Sequence, residues 1–237
     1  MLALDDLSIG YDNKVIVSGM TLSLSPGTMT CLLGNNGTGK STLLKTIAGF
    51  LKPLSGSIAY GDRPLCCLSP REMATTVGVV LTGRTEGQML TVEDMVAMGR
   101  SPYTGFFGRL TSDDRKITDH CMEMIGIASL RHKPLSSLSD GEYQKAVIAK
   151  ALTQQTPVIL MDEPTAFLDF RSKVEMMEMS LHLAHDEGKT ILMTTHDVNL
   201  ALKIADSILL MHDGRLAVNP GEEEISDFIG PRAAHYL

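Results

Sequence analysis

Gly34-Asn-Asn-Gly-Thr-Gly-Lys-Ser41 sets glycines, a lysine and a hydroxyl within eight positions. Gly34, Gly37 and Gly39 let successive backbone N–H groups of Asn35, Asn36, Thr38 and their neighbours turn toward one anion, with no Cβ in the way. Lys40 then reaches β- and γ-phosphates, and Ser41, followed by Thr42, offers a hydroxyl to magnesium. Such a loop suits a nucleoside triphosphate. Far along the chain, Val158-Ile-Leu-Met-Asp-Glu163 ends in two carboxylates. Asp162 suits a magnesium ligand, and Glu163 a general base or orienter for an attacking water. Thr190-Ile-Leu-Met-Thr-Thr195 delivers His196 in the same way, placed to touch the γ-phosphate or the leaving oxygen.

These groups must be brought to one place by the elements that carry them. Met29 to Leu33 and Val158 to Met161 are short apolar runs, too short for helices, and the second lies between Pro157 and Pro164. Both read as buried parallel strands, and ligands of open α/β sheets bind at the carboxyl ends of such strands. Ser41 to Ala48 reads as a helix whose N-terminus adds unpaired N–H groups and its dipole to the phosphate loop. Val77 to Leu81 is a further strand. Leu7-Ser-Ile-Gly10, Val15-Ile-Val17 and Met20 to Leu24 alternate around turns and predict an antiparallel sheet flank.

The pattern turns helical between residues 85 and 157. Thr91-Val-Glu-Asp94 caps one helix; Thr111 or Ser112 caps another whose apolar face is Ile117, Cys121, Met124 and Ile125. Ser139-Asp-Gly-Glu142 has capping-box spacing and opens a third helix, with Gly141 beside the cap making a second anion site. The expected division is one domain over 1–237, with 1–84 and 158–237 forming the core and flank and 85–157 a helical subdomain.

Composition bounds the rest. A chain of 237 residues with 43% hydrophobic residues buries a sizeable core. Its net charge of −7 and lack of a basic stripe argue against nucleic acid as a partner. Cys31, Cys66, Cys67 and Cys121 have neither zinc-site spacing nor a disulfide pattern, which suits a reducing compartment. No run of eighteen apolar residues occurs, and Met1-Leu-Ala-Leu-Asp-Asp6 lacks a signal peptide's pattern, so a cytosolic chain is expected. The fifteen methionines read as core filling, and His182 with His185 as a solvated helix face.

The order of phosphate loop, Leu138-Ser-Asp-Gly-Glu142, strand-Asp162-Glu163, Asp169 and His196 resembles the ATP-binding subunits of ABC transporters over nearly the whole chain. The resemblance implies a P-loop NTPase core with a mixed sheet, an antiparallel β flank and an inserted helical subdomain. It also implies ATP and Mg²⁺ as ligands. Gly34 to Thr42 match the Walker A motif, Leu138 to Glu142 the signature, and Asp162 and Glu163 the Walker B aspartate and catalytic glutamate. Asp169 matches the D-loop, His196 the switch histidine, and Tyr11 the aromatic residue stacked on adenine. Two copies would pair head to tail, Ser139 and Gly141 of one meeting the ATP of the other.

The pattern departs from the family in two places. Asp140 and Glu142 replace the usual glycine and glutamine of the signature, adding negative charge. Thr82 stands where the resemblance implies a Q-loop glutamine that touches magnesium and senses the transmembrane partner; the Thr82 hydroxyl would serve the metal through a water, and Gln88 is nearby but out of register. Gly99-Arg-Ser-Pro-Tyr103 and Gly108-Arg-Leu110 look like the corresponding stretch in subunits serving importers of ferric siderophores, haem and cobalamin. The expected partners are transmembrane permease subunits, a second copy of the chain and, indirectly, a substrate-binding protein. The expected location is the cytoplasmic face of the inner membrane. An exporter ATPase or a soluble, non-transport ABC ATPase is the alternative.

Overall fold

A computed structural model of the chain describes residues 1–12, 14–81, 90–105, 107–166 and 168–229. Strand β1 (Leu2–Tyr11) pairs antiparallel with β2 (Lys14–Leu24). β3 (Thr28–Gly34) leads into helix α1 (Lys40–Ile47). β4 (Ser55–Tyr60) and the short β5 (Arg63–Pro64) complete a four-stranded sheet in the order β2-β1-β4-β5. Helix α2 (Pro70–Thr76) precedes β6 (Val77–Val80), and α3 (Val92–Ala97), α4 (Ser112–Met124) and α5 (Asp140–Thr153) follow. The chain then returns as β7 (Val158–Met161), α6 (Phe170–His185), β8 (Thr190–Thr194), α7 (Val198–Ile204), β9 (Ser207–His212), β10 (Arg215–Val218) and α8 (Glu222–Ile229).

The second sheet has the order β10-β9-β3-β8-β7-β6, parallel throughout except for the antiparallel β10 edge. The mixed sheet and antiparallel flank expected from the sequence are both present. Alternation along the central strands decides the layers. Met29, Cys31 and Leu33 of β3, Ile159 and Met161 of β7, and Ile191 and Met193 of β8 enter one core with α3 to α6. Leu32, Leu160 and Leu192 point the other way, into a core shared with α1 and the four-stranded sheet. Each central strand is thus buried on both faces, which is why these runs are continuously apolar. Met176, Met177 and Met193 lie in these cores, as filling methionines should.

The helices begin where the sequence signals them. Thr91 and Asp94, Thr111 and Asp114, and Ser139 and Glu142 form reciprocal capping boxes. The α4 face differs from expectation by one position: Met124 is 38% exposed, while Met122 and Thr118 are buried beside Cys121 and Ile125. Asp114 turns the helix. Its carboxylate caps α4 and meets Arg100 at 2.8 Å, so the stripe starts at the polar residue Asp114 and runs through Thr118 to Met122. Arg100 also donates to the Thr153 carbonyl at 2.9 Å and Gln155 Oε1 at 2.8 Å, with its guanidinium 3.9 Å from the Tyr103 ring centre. Gly99 is required here, because a Cβ would stand 2.2 Å from the Lys150 carbonyl oxygen. Residues 99 to 103 therefore clamp the C-terminal end of α5.

Candidate nucleotide site

The phosphate loop leaves β3 at the carboxyl edge of the sheet, between β8 and β9. Two of its glycines are needed for different reasons. Gly37, at the tip, holds φ at 81°, a left-handed conformation, while the space where a Cβ would stand is open among the described residues. Backbone conformation alone therefore calls for glycine at Gly37, and the open space leaves its face of the loop free for a phosphate. Gly39 caps α1 at φ 109° with no side-chain hydrogen bond, and a Cβ there would stand 2.8 Å from Ile16 Cγ2. The first N–H groups of α1 are thus left for an external acceptor. Thr38 Oγ1 donates to the Asn35 carbonyl at 2.9 Å and closes the loop on itself. Lys40 is only 5% exposed, its Nζ donating to the carbonyls of Gly34 at 2.7 Å and Asn35 at 3.1 Å. Burial holds its pKa below the ordinary lysine value, opposed by the nearby charges of Glu163 and Asp162.

β7 and β8 run in register, Met161 beside Met193, so their ends emerge side by side. Asp162 Oδ1 accepts from Ser41 Oγ at 3.1 Å and from Thr194 Oγ1 at 2.9 Å. The Glu163 N–H donates to that same Thr194 oxygen at 2.8 Å. Glu163 holds φ at 48°, a left-handed conformation unusual for a non-glycine residue. Its Oε1 lies 2.5 Å from His196 Nε2 and 4.0 Å from Lys40 Nζ. Beside Glu163 and His196 opens a cleft of about 420 Å³, bounded also by Leu168, Lys173 and Asp197. Lysine, hydroxyl, two carboxylates and imidazole thus converge from three strand ends.

Thr194 is the member that sequence reasoning missed. It ends an apolar run as an ordinary β-branched residue, and only the β7–β8 register reveals that one hydroxyl joins Asp162 to the Glu163 backbone.

The remaining candidates fall at different distances from this centre. Tyr11 ends β1, 43% exposed, and its hydroxyl accepts from Thr42 Oγ1 at 3.4 Å, next to the first turn of α1. Asp169 caps α6, its Oδ1 accepting from the Ser172 N–H at 2.9 Å, which lowers its pKa. Ser139 and Glu142 hold one another at the head of α5, and Lys133 Nζ stands 3.5 Å from Glu142 Oε1. The Glu142 carboxylate, one of the two charges that depart from the usual signature, is thus engaged within its own capping box, which lowers its pKa. A Cβ on Gly141 would lie 3.9 Å from Leu168 and Ser172, on the α6 side. The described contacts of Ser139 are with Glu142, not with the phosphate loop. Thr82 and Gln88 lie outside the described residues. His182 and His185 face the carboxylates of Asp186 and Asp206.

A glycine-rich loop opening a helix, with Asp-Glu at the end of the next strand but one in the same sheet, defines a P-loop nucleoside triphosphatase. Residues 17–166 match the family described as ABC transporter. An ABC transporter ATP-binding protein of Methanocaldococcus jannaschii, itself uncharacterized, is 42% identical over 91% of this chain and 74% of its own length. The iron(3+)-hydroxamate import ATP-binding protein of Bacillus subtilis is 34% identical over 90% of this chain and 79% of its own. The fold superposes on a metal-chelate type ABC transporter in an inward-facing conformation with a TM-score of 0.85. That likeness covers 96% of this chain and 88% of the other, at 26% identity. The chain belongs to the ABC transporter family and is one of its ATP-binding, ATP-hydrolysing subunits. No helix among the described residues is long and apolar enough to cross a membrane.

Proposed function

We propose that this subunit powers an importer of metal chelates. It would be held by permease subunits at the cytoplasmic face of the plasma membrane, where a substrate-binding protein acts on it indirectly. The observation that carries the cargo is the likeness to an iron(3+)-hydroxamate import protein over nine-tenths of the chain. The residue roles rest on the convergence at the sheet edge. Lys40 exchanges its loop carbonyls for the β- and γ-phosphates, and Tyr11 stacks on adenine. The loop N–H groups from Gly34 through Gly37 to Thr42 cradle the phosphates. Glu163 takes the proton of the attacking water, and His196, 2.5 Å away, orients it.

Ser41 and Asp162 fit a magnesium ion. Adjacent ligands of an octahedral ion at 2.0 to 2.1 Å stand about 2.9 Å apart, and these oxygens are 3.1 Å apart. Bound there, the ion would neutralise charge on the β- and γ-oxygens. For Thr82 as a further metal contact the support is its place in the sequence alone. Ser139 and Gly141 complete the site of a second copy paired head to tail, with Asp169 at the same junction. Support for this pairing is that Ser139 makes its contacts within its own helix cap. The helical segment 85–157 would meet the permease, and no nucleic acid takes part.

The test is ATP turnover by the subunit assembled with its co-purified permease in liposomes. Turnover should rise several-fold when a binding protein loaded with a ferric hydroxamate is supplied. Stimulation by a lipid or a drug instead, with none by any metal chelate, would replace import by export and leave the ATPase reading intact.

A further inference from the structure

Away from the nucleotide site, a groove of about 1000 Å³ runs past the C-terminal end of α1 to α2 and β6, lined by Phe50, Leu65, Cys66, Met73 and Val79 among others. Cys66 and Cys67 sit on the single 3₁₀ turn Leu65–Cys67 that joins β5 to α2. Both are exposed, whereas Cys31 and Cys121 are buried. Consecutive residues usually send their side chains apart, but this turn brings the two sulfurs to 3.9 Å, sharing one S–H···S contact. That contact is the main reason the Cys67 pKa stands above the ordinary thiol value.

Two sulfurs bonded to one pyramidal centre at about 2.3 Å each, with a bond angle of roughly 100°, stand about 3.5 Å apart. The observed spacing of 3.9 Å is a few tenths of an ångström longer, a gap that small rotations about the two cysteine χ1 angles close. The coordination number then selects the ligand. A structural zinc takes four protein ligands, and no group of three or more His, Cys, Asp or Glu able to hold an ion occurs among the described residues. A trivalent arsenic carrying one organic substituent needs two sulfurs and brings its third bond with it.

We propose that Cys66 and Cys67 form a vicinal dithiol that captures monosubstituted trivalent arsenicals at the rim of this groove. In the reaction, the two As–O bonds of an organoarsenic dihydroxide are replaced by two As–S bonds. Each thiol hydrogen leaves with a hydroxide as water, two waters in all, and arsenic remains trivalent, so neither oxidant nor reductant is consumed. The site is separate from ATP chemistry, since the groove has no lining residue in common with the nucleotide site.

Phenylarsine oxide and the full chain under native conditions provide the test, read by intact mass. One phenylarsenic unit should add per chain, survive excess 2-mercaptoethanol, and leave with 2,3-dimercaptopropanol, because only a second dithiol competes with a ring. Cys66→Ser and Cys67→Ser should each abolish the monothiol-resistant adduct; both positions are exposed, so the fold should tolerate them. The double variant Cys31→Ser, Cys121→Ser should keep it if folded, and the two exposed-site variants decide the matter without it. No adduct on the parent, an adduct that 2-mercaptoethanol strips, or one that persists in Cys66→Ser overturns the proposal.

Discussion

Lys40 spends its charge on two backbone carbonyls of its own loop, at 2.7 and 3.1 Å. In the proposed role, ATP would exchange these contacts for phosphate contacts, and the gain would be the difference between neutral and charge-assisted acceptors. Lys40→Ala should weaken ATP affinity by about 1.5 to 3 kcal/mol, measurable by calorimetry; unchanged affinity would remove the lysine from the phosphate site. Thr194 bears on turnover instead. Thr194→Val keeps the shape but leaves the Asp162 carboxylate and the Glu163 N–H each short of a partner. A fall in kcat of about 10- to 100-fold is expected, a barrier rise of about 1.4 to 2.7 kcal/mol, with ATP affinity retained and Thr194→Ser restoring the rate. Equal kcat in the valine variant would show that the hydroxyl positions nothing. Glycine, lysine and paired carboxylates were legible in the sequence because their chemistry is unusual in a turn. Thr194 was not, because a threonine at a strand end is ordinary until its neighbour's register is known.

At the scale of elements, α5 is held at both ends, by the Ser139–Glu142 box at its head and by Gly99, Arg100 and Tyr103 at its tail. The tail clamp depends on a carboxylate. Two hydrogen bonds from Thr111 and the Arg100 guanidinium pull the Asp114 pKa down to about 2, from 3.8. A carboxyl depressed on folding stabilises the native state above its unfolded pKa, and loses that stabilisation as pH falls toward the folded value. Asp114→Asn should lower Tm at pH 7 by roughly 3 to 10 °C, from about 1 to 3 kcal/mol for a buried charged hydrogen bond. The gap between variant and parent should close as pH falls from about 4 to about 2. A gap independent of pH would mean the carboxylate's charge is immaterial. The capping boxes and apolar strands could be read from sequence, since both are local patterns. The α4 face could not, because Asp114 is drawn inward by Arg100 from a separate turn, and no local periodicity contains that partner.

For the whole molecule, the signature end of α5 and the phosphate loop make their described contacts apart from one another, which is the geometry that a second copy would complete. Glu163→Gln would remove the proposed base, and it takes a negative charge from beside Lys40 and His196 while preserving shape. Hydrolysis should slow by about 10²- to 10⁴-fold, and ATP should shift the assembled transporter's subunits into a persistent closed pair, read by cross-linking across Ser139 and the loop. Adding Ser139→Arg should abolish that pair. Normal turnover by Glu163→Gln in the assembled transporter would refute the catalytic assignment.

The strand order also sets a timetable. β3 carries the phosphate loop near the start of the chain, yet its sheet partners are β8, Thr190–Thr194, and β9, Ser207–His212. A ribosome must make more than 150 further residues before that strand can be paired on either side. Until then the glycine-rich segment has no frame to hold its N–H groups on one point, and its neighbouring apolar run lies open to chaperones or to aggregation. Nucleotide recognition, although written early in the chain, is thus among the last properties that a nascent subunit acquires, and a message truncated before codon 190 should yield a product blind to ATP.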